Sequence, residues 1–137
     1  MSKVFIDTNI LLYAHDPRYP DKQEKALAAI VKLFETGRGV VSTQVLQEFC
    51  ANALGKFRLE HDVLLRQLAL LHNFEIIRMS PEIIRRAVEI TVMYTTSYWD
   101  ACILAAAESA RCEKIISEDF NTGQYYAGIT IENPFIK

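Results

Sequence analysis

Short apolar runs alternate with amphipathic stripes along this chain, and that alternation constrains its fold more than any other feature. "KVFI", "VVST", "FEIIRM", "KIIS" and "ITIEN" have the length and side-chain content of strands bounded by turn residues. After the first of them and the turn region "DPRYPD", Leu27, Ile30, Val31 and Phe34 recur at helical spacing and predict a core-facing stripe. Asp21 and Glu24 predict a capping box at the start of that helix. Leu46, Phe49, Cys50 and Ala53 predict a second core face, and Leu64, Leu68 and Leu71 a third. "SPEIIRRAVEI" opens a helix with Ser80 as cap and Pro81 in the first turn, and "SYWDACILAAAESA" reads as a further helix. Strands alternating with helices predict an α/β fold, a three-layer α/β/α sandwich around a mostly parallel central sheet. Sheets of that kind bind ligands beyond the carboxyl ends of their strands, so that edge is where chemistry is expected.

The whole of residues 1–137 is expected to be a single domain, with half its residues hydrophobic and no linker or internal repeat. No leader peptide is expected, because Asp7 falls where the apolar region would have to be. No run approaches the length of a membrane span, and the expected location is the cytoplasm. Cys50, Cys102 and Cys112 lack paired metal-ligand spacing and are read as reduced core thiols. A net charge of −2 provides no global field for a polyanion, so such a partner would depend on local basic residues or bound cations.

Four acids belong to the expected ligand edge. Asp7 ends the first strand, Glu48 lies in the opening turns after the second, Asp119 follows "KIIS", and Asp100 is in the first turn of "SYWDACILAAA". Glu48 points away from its helix's apolar stripe and shares a face with Gln44. Each acid alone has an ordinary reading. Asp7 could end a strand in an Asx-turn, Glu48 could be solvated, "SYWD" could be a capping pattern, and "SED" an acidic turn. Together they repel, at ~4 kcal/mol for one close pair at an effective dielectric of about 20. A divalent cation removes that repulsion. Oxygen ligands without a matching Cys or His cluster favour Mg²⁺ or Mn²⁺ over Zn²⁺, and the chemistry this implies is phosphodiester hydrolysis.

"VFIDTNILLYA", "STQVLQEF", "SYWDACILAAA" and "IISEDF" resemble, in order, the four acid-bearing motifs of PIN-domain nucleases, and small chains of this kind resemble the VapC-type toxin ribonucleases. The resemblance implies a metal-dependent endoribonuclease acting on RNA, with Asp7, Glu48, Asp100 and Asp119 as catalytic, metal-holding acids. It also implies the toxin role of a type II toxin–antitoxin pair, with a cognate antitoxin protein as partner. Thr8 and Asn9 match the polar residues that brace the site, and Ser117 stands where the family often has threonine. The tail "GQYYAGITIENPF" resembles only a subset of the family. The competing reading is a non-catalytic acidic metal-binding or receiver-like module. A receiver needs a lysine after a late strand, whereas "KIIS" has its lysine at the start.

Other residues carry weaker signals. Arg18, Lys22, Lys25, Lys56 and Arg58 are candidates to hold phosphates, against ordinary solvated charge. Tyr94, Tyr98 and Trp99 are read as core or dimer packing rather than base-stacking groups, and "EITVMYTTSYW" predicts a homodimer face. His15, His61 and His72 show no partner spacing and are read as surface or core residues, and Asp16 is a candidate outer ligand within a turn.

Overall fold

The structure is a computed structural model and describes residues 2–136. Its elements run β1 (Val4–Ile6), α1 (Thr8–Tyr13), α2 (Pro20–Thr36), β2 (Gly39–Ser42), α3 (Thr43–Gly55), α4 (His61–Leu71), β3 (Glu75–Ile77), α5 (Pro81–Tyr94), α6 (Tyr98–Ser109), β4 (Lys114–Ile116), β5 (Tyr125–Tyr126) and β6 (Ile129–Glu132). The sheet order is β3-β2-β1-β4-β6-β5, and every pairing is parallel except β5 with β6. The three-layer sandwich with a mostly parallel sheet is therefore the observed fold.

Strand order reverses beside β1. The chain moves outward from β1 to β2 and β3, then returns to lay β4 against the other side of β1. Such a switch point opens a crevice at the carboxyl ends of the two central strands, because their connections leave in opposite directions. Phe5, Ile6, Val40, Val41 and Ile115 are sealed from solvent between the helical layers, each burial contributing roughly 1.5–3 kcal/mol. Gly39 opens β2 because a Cβ there would lie 2.6 Å from the Phe74 ring.

Helix α6 is buried from Ala101 through Ala107, as expected of a helix apolar on every side, and its alanines let α5 pack closely through Ala87 and Ile90. Ser80 and Ser97 cap their helices by accepting the amides of Ile83 and Asp100.

Three local expectations are corrected. Helix α2 begins at Pro20 behind Tyr19 with no side-chain cap, so Asp21 and Glu24 form no capping box. Its buried residues are Ala26 and Leu33, while Leu27, Val31 and Phe34 are nearly half exposed, because they wall an open groove shared with Leu70 and Phe74. In α3 the buried stripe is Val45, Phe49 and Ala53, with Leu46 and Cys50 at its half-buried border. Cys102 and Cys112 are buried free thiols as expected, and Cys50 is free and half-buried.

Candidate active site at the strand ends

Asp7 is the first residue beyond β1 and the N-cap of α1, accepting the Thr8 amide at 2.7 Å. The residues after it turn at once into a helix, which is how an aspartate can interrupt "VFIDTNILLYA" while Ile10 and Leu11 return to the core. Register places its neighbour. Ile6 pairs with Ile116, and the Asp7 amide extends the ladder by donating to the Ile116 carbonyl, so Ser117 stands directly beside Asp7. Ser117 Oγ donates to Asp7 Oδ2 at 2.7 Å and accepts the Asp119 amide at 3.1 Å, which ties the first and last acids to one hydroxyl.

Ser42 ends β2 and caps α3, and that turn brings Glu48 toward α1, where it accepts Thr8 Oγ1 at 2.6 Å. Gln44, one turn earlier, donates Nε2 to the Trp99 carbonyl at 3.2 Å and reaches Glu48 Oε2 at 3.5 Å. It thereby joins Glu48 to the start of α6, where Asp100 lies. Asn9 accepts the Glu118 amide at 3.3 Å. Thr8, Asn9 and Ser117 are thus each bonded to an acid or to the loop that carries Asp119.

Asp7 and Asp100 each feel the charges of Glu48 and Asp119. Burial, with a smaller push from the charges of Asp119 and Glu48 and against the lowering effect of the Ser117 and Thr8 bonds, raises Asp7 to about 6. Asp100 is also raised, first by burial and then by Asp119 and Glu48. Asp7 is buried, Glu48 and Asp100 are half-buried and Asp119 is exposed, so the cluster opens to solvent on one side. Among the described residues, no three His, Cys, Asp or Glu side chains close on one point as a ready-made metal cage. Carboxylate oxygens are the donor type that suits a hard cation keeping several of its own waters. Among the described residues, buried Gln44 Oε1 is an acceptor and buried Asn9 Nδ2 a donor without a hydrogen-bond partner.

Gln44 and Glu118 were not read from the sequence as site residues. Gln44 lies one helical turn before Glu48 on the same face, and that spacing was its available signal. Glu118 accepts Tyr13 Oη at 2.7 Å and pairs with Lys22, an arrangement that no local pattern announces.

The remaining candidates separate by position. Arg18 and Lys56 border a cleft shared with Asp119, whereas Arg58 faces a different depression with His61, and Lys25 is exposed on α2. Asp16 is buried with both oxygens engaged by Arg18. His15 packs on Phe49, where burial lowers its pKa, and His72 Nδ1 lies 2.9 Å from the Leu68 carbonyl. Tyr94 packs on Tyr126 and accepts the Ala127 amide, while Trp99 is 64% exposed.

Asp7, Glu48, Asp100 and Asp119 come from four separate segments of a mostly parallel sheet fold whose strand order reverses beside β1. Residues 4–127 match the family model of the PIN domain. The chain belongs to the PIN-domain family, a family of nucleases. Its backbone is similar to a chain of a toxin–antitoxin complex from Klebsiella pneumoniae, at 27% identity over 97% of this chain and 98% of that one, TM-score 0.69. It is similar in fold to a chain of FitAcB from Neisseria gonorrhoeae, at 21% identity over 96% and 98%, TM-score 0.68. The Mycobacterium tuberculosis toxin VapC20, described as cleaving the sarcin-ricin loop, shares the fold at 16% identity over 85% and 92%, TM-score 0.61. No curated protein sequence matches the chain. No helix among the described residues is long and apolar enough to cross a membrane.

Proposed function

We propose that residues 1–137 act as one metal-dependent endoribonuclease domain, the toxin of a type II toxin–antitoxin pair working in the cytoplasm. The observation that carries this reading is the hydrogen-bonded frame that links Ser117 to Asp7 and Asp119, Thr8 to Glu48, and Gln44 to Glu48 and the start of α6. Asp7, Glu48, Asp100 and Asp119 would hold Mg²⁺ or Mn²⁺. The bound cation would supply a nucleophilic water and neutralise charge developing on the phosphoryl oxygen of RNA. Ser117 and the Thr8 amide hold the Asp7 carboxylate in one orientation. Thr8 Oγ1 and Gln44 do the same for Glu48, so little reorganisation is needed when substrate arrives.

The partner reading rests on a second feature. Between α2 and α4 runs an apolar groove of about 250 Å³, walled by Leu27, Val31, Phe34, Leu70 and Phe74 with His15 beneath. An antitoxin would lay an apolar segment there and insert an Arg among the acids, since its fork pairs with carboxylates. Homodimerisation is supported by Val88, Val92, Met93 and Trp99, which expose apolar surface on α5 and the start of α6. Val92→Arg is expected to leave a folded monomer in light scattering, against a dimer for the wild type.

The deciding experiment incubates purified protein with total RNA and Mg²⁺ or Mn²⁺. Discrete cleavage that stops in EDTA and in Asp7→Asn is expected. Intact RNA with both metals would refute the nuclease reading.

A further inference from the structure

We propose that the cleft beside Asp119 is a nucleotide-holding subsite, in which Arg18 grips a backbone phosphate flanking the cleaved bond and Tyr19 stacks on the adjoining base. This rests on the nuclease reading above and assigns the residues that position the substrate.

The cleft has a volume of about 290 Å³ and is bordered by Asn9, Arg18, Tyr19, Lys56, Phe57 and Asp119. Arg18 is not an ordinary surface cation. Its Nε and Nη2 each donate at 2.9 Å to the two oxygens of Asp16, whose side chain is 5% exposed. The Arg18 amide also donates to Asp16 Oδ1 at 3.1 Å. The guanidinium lies 5.5 Å from the Tyr19 ring centroid and 5.8 Å from that of Phe57. Two aromatic contacts and a two-pronged ion pair fix the plane of a side chain that normally loses considerable rotamer freedom when it binds.

What remains unbonded on Arg18 is informative. Guanidinium has five N–H donors, and Asp16 takes one from Nε and one from Nη2, leaving both on Nη1 and one on Nη2. Those form the end-on fork that matches two oxygens of a phosphate. The Arg18 side chain is 57% exposed, so the fork is accessible. Exposed Lys56 adds a second positive charge to the same cleft, while Asp16 neutralises one. The cleft also carries Glu118, paired with Lys22, and Asp119, so in a chain of net charge −2 the Arg18 fork and Lys56 act as point contacts for phosphate beside the acids rather than as a positive field. Tyr19 is 46% exposed, with Arg18 and Lys22 at 5.5 and 5.6 Å from its ring centroid and Tyr13 edge-on, and the exposed part of its ring is what an unpaired base would stack on. Asp16 is thus a positioning residue that acts through Arg18.

The test uses the full chain and single-stranded RNA oligonucleotides carrying 2-aminopurine at successive positions, bound in Ca²⁺, with steady-state cleavage measured in Mn²⁺. Quenching at one position in wild type, lost in Tyr19→Ala, is expected, with a Kd raised about tenfold or more. Arg18→Gln is expected to raise KM by a similar factor with little change in kcat, and to reduce the salt dependence of binding by about one charge. Arg18→Lys should restore the charge without the fork and recover only part of the affinity. Because Arg18→Gln leaves a buried carboxylate unpaired, the double variant Asp16→Asn/Arg18→Gln provides the same test in a chain without that penalty. Kd values within about twofold of wild type in both the Tyr19 and the double variant, or no quenching at any position, would overturn the subsite. A wild type that cleaves, with KM unchanged in the variants, defeats the subsite alone. A wild type that binds with position-specific quenching but never cleaves defeats the nuclease reading and leaves the subsite standing.

Discussion

Ser117 and Asp7 are separated by 110 positions in sequence and joined by a hydrogen bond of 2.7 Å, because both are the first residue beyond adjacent parallel strands in register. The same hydroxyl accepts the Asp119 amide. Ser117→Ala removes the donor from a buried carboxylate and the acceptor from the acidic loop. A loss of about 1–3 kcal/mol in urea unfolding is expected, together with reduced cleavage in the fraction that stays folded. Ser117→Thr should restore both, and equal activity in the alanine and wild-type chains would show that the hydroxyl does not orient Asp7.

Asp100 separates a capping role from a chemical one. Ser97 is the cap of α6, accepting the Asp100 amide at 3.2 Å. Asp100→Asn keeps that amide, so the helix should survive. Metal-dependent RNA cleavage is expected to fall by orders of magnitude, because Asn lacks the charge that holds a divalent cation. Thermal stabilisation by added Mn²⁺ should shrink as affinity for the folded chain falls. A destabilised but fully active variant would instead mark Asp100 as structural.

The raised pKa of Asp7 makes the metal-free protein sensitive to pH. Its folded value of about 6 exceeds the ordinary 3.8, so the folded chain binds the proton more tightly than the unfolded chain. That contribution to stability is fully present below about 3.8 and is lost as pH rises through about 6. The two-unit difference corresponds to roughly 3 kcal/mol. In EDTA, urea midpoints for wild type should fall between these pH values more steeply than those for Asp7→Asn. Parallel pH profiles would contradict the assignment of burial as the cause.

The groove between α2 and α4 supplies a test independent of the acids. Val31 is 50% exposed on its wall, so Val31→Glu should fold and cleave RNA as wild type does. Neutralisation by the cognate antitoxin should weaken by about a hundredfold, since docking would bury an unpaired carboxylate. Undiminished inhibition would place the antitoxin elsewhere.

The amino-acid sequence by itself determined most of the alternation of strands and helices, though not α1 or β5, and pointed to Asp7, Glu48, Asp100 and Asp119 as acids of one sheet edge. Both are local facts. A strand's period and its terminating polar residue are written in adjacent positions, and a parallel sheet sends all its carboxyl ends the same way. Tertiary structure alone decided the rest. The stripe Leu27, Ile30, Val31 and Phe34 announced an apolar face but not what would cover it, and only Ile30 packs against the core while Leu27, Val31 and Phe34 wall an open groove. The antiparallel β5 pairs only because the turn at Gly128, with φ +81°, folds Tyr125 and Tyr126 back onto β6. "DPRYPD" read as a turn, yet burial of Asp16 and the approach of Phe57 from beyond α3 convert its arginine into a fixed fork beside Asp119. Periodicity records which residues avoid water, whereas the pairing of charges and the gaps between helices depend on segments dozens of residues apart, which only the folded chain brings together.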